Sequence, residues 1–324
     1  MTHSLVELVL ILIAGLVLIL FGANYMTDGS AAIARRFNIS GFVIGLTVVA
    51  IGTSMPEMVV SIVSALKGST DIAIGNVSGS NIFNTLVILG MCAAVRPIML
   101  TQQNIYRDIP MCIVASLVFV VVTLSGSIDR LEGILMFAAY IVMMLYSIFK
   151  SKPSIEEVEL EKQIEEQPLM PMWLSLLMTI GGLGALIWGG NLFIDSAVQI
   201  AYFYNIPDNV IAVTLVAGGT SLPEFAASLV SLIKGKSDIA LGNVIGSNIA
   251  NILLVLGFSS SIMPLTMGTI SIIDVLIVLI AAILLFLTAF TFGKRRIDRV
   301  EGILMIAIFV GYMSWVLTKA PAAI

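Results

Sequence analysis

Two glutamates stand where a carboxylate is hardest to keep. Glu57 occurs in AIGTSMPEMVVS (50–61) and Glu224 in AGGTSLPEFAAS (217–228), each well inside an apolar stretch. An ionised carboxylate at that depth is expensive, so it normally faces a cavity and finds a partner. No Lys or Arg lies at comparable depth. The simplest counter-charge is a mobile cation; the competing reading is a protonated glutamate bonded between helices.

A proline precedes each acid. Pro56 and Pro223 have no N–H, so the carbonyls of Gly52 and Gly219 lose their helical partner and the helices bend. Freed carbonyls inside a membrane are tolerated only where protein or a lined cavity satisfies them. Thr53 and Thr220 lie one turn before the acids and on the same face. A second motif pair, GNVSGSNIFN (75–84) and GNVIGSNIAN (242–251), places Ser80 with Asn84 and Ser247 with Asn251 at i,i+4 spacing.

Every one of these groups offers oxygen. Ca²⁺ takes six to eight oxygen ligands in a flexible shell, whereas Mg²⁺ gives up water reluctantly. Soft ligands for zinc or copper are absent. Cys92 and Cys112 have no ligand-type spacing and read as packing, and the single His3 leaves no buried histidine relay. The chemistry favours Ca²⁺ and Na⁺. Two carboxylates neutralise one Ca²⁺, or hold Na⁺ ions in its place, and a site that must be neutral to cross a low-dielectric barrier would exchange one for the other.

Other polar residues have plainer roles. Asn81 and Asn248 either line the site or bridge helices. Asn76, Asn243, Asp28 and Asp195 are assigned to helix ends and inter-helix bonding. Gly75, Gly79, Gly242 and Gly246 form small-xxx-small spacings for close packing. Asp129, Glu132, Asp298 and Glu301 fall near span starts, where interfacial solvation accounts for them.

The elements that position these groups follow from composition. Of 324 residues, 59% are hydrophobic and 11% charged, with a mean hydropathy of +1.08. A soluble domain carries roughly 25% charged residues, so the apolar residues must face lipid. Ten runs are long enough to span a bilayer: 5–27, 40–66, 71–93, 108–125, 130–150, 172–199, 208–233, 238–262, 270–291 and 299–318. Residues 41–90 and 208–257 align without gaps at an offset of 167, with roughly 29 of 50 positions identical. Gly22, Asn24 and Asp28 return as Gly189, Asn191 and Asp195.

The expected fold is therefore an all-α polytopic membrane protein. Its ten transmembrane helices form two five-helix inverted-topology repeats, residues 1–150 and 172–324, joined by an acidic cytoplasmic linker, 151–171. An odd number of spans per repeat inverts the second half, an arrangement that places a transport site at the repeat interface. Of 16 Lys and Arg, only Lys67, Arg130 and Lys319 fall on one side, which is therefore outside, with both termini. No cleavable signal peptide is evident, and the location is the cell (inner) membrane.

At these residues the chain resembles the cation/calcium exchanger superfamily, specifically the compact prokaryotic sodium/calcium exchangers. GTSMPE and GTSLPE on the second and seventh spans carry the resemblance, with GSNIFN and GSNIAN on the third and eighth. It covers essentially the whole chain. The resemblance implies a diamond of ion sites between these four helices, with Glu57 and Glu224 as principal Ca²⁺ ligands that also serve Na⁺. It implies further ligands in the carbonyls of Thr53 and Thr220. The Ala50 and Ala217 carbonyls, with the hydroxyls of Ser54, Ser80, Ser221 and Ser247, would complete outer sodium sites. Asn84 and Asn251 would coordinate through amide oxygen or bond a central water, and the first and sixth spans would slide as a bundle. Some relatives carry aspartate where this chain has Asn251, which leans against potassium coupling and against H⁺ exchange.

The expected activity is Na⁺/Ca²⁺ antiport by alternating access, with Ca²⁺/H⁺ antiport through the same glutamates as the alternative. Inverted repeats disfavour a channel. An intramembrane hydrolase lacks a base near Ser54 or Ser221. No cofactor is expected, since Ca²⁺ and Na⁺ are the substrates. The net charge of −4 implies no nucleic-acid partner, the lipid bilayer is the surrounding, and a monomer suffices.

Overall fold

The computed structural model describes residues 4–150, 170–204, 219–268, 270–291 and 295–319. The expected linker lies almost entirely outside the described residues, as do Ala217 and the start of the seventh span. Among the described residues, the helices of the first half are α1 (Leu5–Phe37), α2 (Gly41–Thr53), α3 (Met55–Leu66), α4 (Thr70–Val95), α5 (Asn104–Thr123) and α6 (Arg130–Lys150). Those of the second are α7 (Met172–Phe203), α8 (Leu222–Ile233), α9 (Ser237–Ile262), α10 (Ile272–Thr288) and α11 (Arg299–Lys319).

Seven of these helices are long and apolar enough to cross a membrane alone. α2 and α3 do so as a pair bent by 44°, while α8 and α10 are shorter apolar helices. Large apolar side chains such as Phe149, Trp188 and Val6 lie on the outside, as a lipid-facing surface requires.

The ends of α1 show why its length exceeds the apolar run. Ser4 and Glu7 form a capping box at the start. At the end Asn38 adopts a left-handed φ of 52°, with Arg35 and Arg36 in the last turn. The helix continues ten residues beyond the expected 5–27 because its later turns find partners in protein rather than lipid. Asp28 is thus inside a helix rather than at an end. Its carboxylate pairs with Lys234 at 2.6 Å and Lys236 at 2.8 Å, which bears out its expected inter-helix role.

α1 and α7 pack antiparallel along a glycine seam. Gly15 meets Gly189 and Phe193, Gly22 meets Gly182 and Leu186, and Gly29 meets Ser175 and Thr179. A Cβ on Gly22 would sit 2.6 Å from the Gly182 carbonyl oxygen, closer than any side chain tolerates. Gly242 and Gly246 do the same for α9 against Phe42 and Leu46 of α2. Among the described residues nothing lies within 4 Å of a Cβ on Gly79.

The centre belongs to α4 and α9, whose most apolar windows are 72% and 94% buried, against 22% and 28% for α1 and α7. Each carries a π-helical turn, Asn84–Leu89 and Ala250–Leu256. Such turns are rare and concentrate at functional sites.

Among the described residues, four two-residue strands stitch the loops together. β1 (Ile98–Met99) pairs antiparallel with β4 (Arg296–Ile297), and β2 (Ser127–Ile128) with β3 (Leu265–Thr266). The backbone N–H groups of Asp129 and Glu132 each donate to the other's carboxylate at 2.8 Å, so the two cap α6, a tighter role than interfacial solvation.

Candidate functional site

Both helix breaks have the same backbone. Ser54 joins α2 to α3 with φ −82° and ψ 7°, and Ser221 precedes α8 with φ −88° and ψ 8°. Pro56 and Pro223 then stand in the first turn of the new helix, where a missing N–H costs nothing. Glu57 and Glu224 follow in that same turn and are both fully buried.

The two halves reach into each other here. Ser54 donates to Oε1 of Glu224 at 3.1 Å, and Ser221 donates to Oε1 of Glu57 at 3.2 Å. Ser80 adds a second donor to Glu57 Oε1 at 3.3 Å. Each carboxylate keeps its other oxygen, Oε2, buried and without a hydrogen-bond partner among the described residues. No ion pair reaches either acid among the described residues; the pairs present use Asp28, Asp108 and Asp298.

Asn76 and Asn243 fix the helices that carry the acids. Asn243 donates to the Glu224 carbonyl at 3.2 Å and to Ser228 at 2.9 Å, while its own oxygen accepts from Thr53 at 3.2 Å. Asn76 bonds the Glu57 carbonyl and Ser61, each at 3.3 Å. The expectation of inter-helix bonding holds for both.

Other buried oxygens gather on the same elements. Among the described residues Asn84 has neither amide atom paired, and the Thr220 hydroxyl, the Ser247 hydroxyl and the Asn251 amide oxygen also lack partners. The π turn holding Asn251 packs on α3, the helix of Glu57, and the turn holding Asn84 packs on α8, the helix of Glu224. The Ala50 carbonyl accepts from the Ser54 N–H at 3.0 Å. Ala217 lies outside the described residues. Asn81 donates to the Asn248 carbonyl at 3.2 Å, so it bridges helices α4 and α9.

The chemistry of this donor set is narrow. Among the described residues no group of three or more His, Cys, Asp or Glu could hold a metal. Two carboxylates surrounded by hydroxyl and amide oxygens suit a hard cation and offer nothing to a soft one. A buried polar atom left unsatisfied costs about 1–3 kcal/mol, more when charged, so several together on one site demand a partner. A cavity of about 220 Å³ opens beside them, lined in part by Pro56, Thr220, Pro223 and Asn191.

A family model described as sodium/calcium exchanger protein matches residues 7–149 and 174–318, nearly the whole chain. The chain belongs to that family. The exchanger is 31% identical over 343 residues to the sodium/calcium exchanger MaX1 of Methanosarcina acetivorans, covering 94% of this chain and 97% of that one. It is 38% identical over 307 residues to the putative antiporter CaxA of Alkalimonas amylolytica, covering 93% and 95%. Among solved structures, the sodium-calcium exchanger NCX_Mj soaked with 10 mM Na⁺ and 10 mM Sr²⁺ superposes with a TM-score of 0.84. Identity there is 33%, over 96% of this chain and 99% of that one. The exchanger is therefore a membrane transporter of the antiporter type and not an enzyme.

The π turns escaped sequence reasoning, whereas the inter-helix bonding of Asn243 was expected and only its particular partners, Glu224, Ser228 and Thr53, were not. Asn243 had a signal, its recurrence at the Asn76 position. A π turn has none, since its residues have ordinary helical composition.

Proposed function

We propose that the protein exchanges Na⁺ for Ca²⁺ by alternating access, binding both between α2–α3, α4, α8 and α9. The observation that carries this is the reciprocal pair Ser54–Glu224 and Ser221–Glu57, which leaves one oxygen of each buried carboxylate unpartnered among the described residues. Glu57 and Glu224 act as the shared ligands. Thr53, Thr220, Ser54, Ser221, Ser80, Ser247, Asn84, Asn251 and the Ala50 and Ala217 carbonyls supply neutral oxygen. Two negative charges balance one Ca²⁺ or a set of Na⁺ ions, so either load crosses the low-dielectric interior at lower cost than an uncompensated ion.

Ten spans in two inverted halves, 1–150 and 172–324, form the frame, with 151–171 as a cytoplasmic linker and both termini outside. The antiparallel course of α1 and α7, which are repeat equivalents, supports the inversion. Their glycine seam makes them one moving bundle beside the fixed site. The protein works in the inner membrane, and one chain holds a complete site.

Reconstitution tests the proposal. Purified protein in vesicles takes up Ca²⁺ when a Na⁺ gradient is imposed at fixed pH, and Glu57→Gln abolishes uptake. Uptake driven by a pH gradient alone would replace Na⁺ by H⁺ as the counter-ion, and uptake retained in Glu57→Gln would remove the site.

A further inference from the structure

Asn251 and Asn84 are repeat equivalents with the same side chain, but their surroundings differ. Asn81 points its amide at the backbone carbonyl of Asn248, 3.2 Å away. A backbone carbonyl only accepts, so the atom facing it must be the Asn81 nitrogen. The Asn81 oxygen then faces the other way, where Asn251 lies at 3.2 Å. That oxygen also only accepts, so Asn251 must present its NH₂ to it and turn its own oxygen away. The orientation of both amides follows from one acceptor whose identity is beyond choice.

The mirror arrangement is missing. Asn248, the equivalent of Asn81, donates to the Thr85 hydroxyl at 2.7 Å. A hydroxyl both gives and takes, so it imposes no orientation, and among the described residues Asn84 has no partner on either amide atom. One amide of the pair is polarity-locked, and the other is free to turn.

We propose that Asn81 is a positioning residue: through the relay Asn248 carbonyl–Asn81–Asn251 it commits Asn251 to offering oxygen, not NH₂, to the cation. This rests on the ion site proposed above. The locked oxygen is fully buried without a partner among the described residues, as are Oε2 of Glu57 and Glu224, and its turn packs on the helix of Glu57. An amide free to rotate presents NH₂, which repels a cation, in part of its population. An oriented one pays no such reorganisation on binding.

The test uses full-length protein in vesicles with Na⁺-driven Ca²⁺ uptake as readout. Asn81→Leu should raise the half-saturating Ca²⁺ concentration about fivefold or more, the scale of one neutral hydrogen bond. The maximal rate should stay within about twofold of the parent. In an Asn251→Asp background either carboxylate oxygen serves and there is no NH₂ to turn away, so adding Asn81→Leu should raise half-saturation no further, and removing the Asn81 oxygen from beside the carboxylate can only lower it. Unchanged half-saturation in Asn81→Leu overturns the proposal. So does a penalty of equal size in the Asn251→Asp background, which would mark Asn81 as mere packing. Should Asn81→Leu not fold, Asn81→Ser carries the same test, because its short side chain cannot reach Asn248 and Asn251 together. Uptake that survives Glu57→Gln would instead defeat the underlying ion site, a result distinct from either failure of the relay.

Discussion

Lys234 reaches Asp28 at 2.6 Å and also donates to the Asn24 carbonyl at 3.0 Å, tying the turn after α8 to the flank of α1. Lys236 joins at 2.8 Å, and Thr27 bonds Ser231 at 2.9 Å beneath them. The repeat equivalents Asp195 and Lys67 are exposed and make no ion pair with each other among the described residues. One edge of the α1–α7 pair is therefore fastened by ion pairs, while the corresponding edge of the other half has none among the described residues.

Asp28→Asn should loosen that edge. The pairs are partly exposed, so each contributes about 1 kcal/mol or less, too little to unfold the chain. The measurement is maleimide labelling of Ser231→Cys, a buried position, with Cys92 and Cys112 replaced by alanine. Labelling should quicken several-fold in Asp28→Asn; equal rates would show that the lysines do not hold this edge shut.

Glycine replacement on the seam should separate two kinds of helix position. Gly22→Ala puts a methyl against the Gly182 carbonyl and the Leu186 N–H and should abolish transport or folding. Gly184→Ala, with nothing within 4 Å among the described residues, should be silent or mildly stabilising, since alanine favours helix by about 1 kcal/mol over glycine. Comparing yield and uptake of the two variants checks this.

Asn243→Ala should be the costlier of the two matched asparagine truncations. It strands Glu224 carbonyl, Ser228 and Thr53 contacts in a fully buried setting, whereas Asn76 has two bonds and partial exposure. A loss of about 2–4 kcal/mol for Asn243→Ala and less for Asn76→Ala is expected. Melting midpoints in detergent rank them, and the reverse order would contradict the account.

Pro56→Ala restores an N–H in the first turn of α3 and removes the ring that stands beside the 44° bend. Uptake should fall by about tenfold or more while folding persists, because a straighter helix withdraws Glu57 from Ser221. Unaltered uptake would mean the bend is held by packing rather than by proline.

Much of this was legible in the sequence, and for a physical reason. A carboxylate in an apolar run, a proline beside it and the duplication of both are local facts that survive any tertiary arrangement. The paired breaks at Ser54 and Ser221 follow directly from them. What stayed hidden was non-local or compositionally silent. The run 5–27 stops where apolar residues stop, but the helix reaches Phe37 because Lys234 and Lys236, some two hundred positions away, receive Asp28. The π turns at Asn84 and Ala250 use residues that an α-helix would accept equally. The relay through Asn81 depends on which acceptor its amide meets, and no spacing encodes that.

The crossed strand ribbons have a corollary for assembly. β1 finds its mate in β4 and β2 in β3, so a polypeptide of residues 1–150 alone would carry two orphaned edges and no way to join them to each other. Two such polypeptides could close both ribbons mutually. Covalent joining of the two halves makes that closure intramolecular, so it no longer depends on the concentration of a second polypeptide.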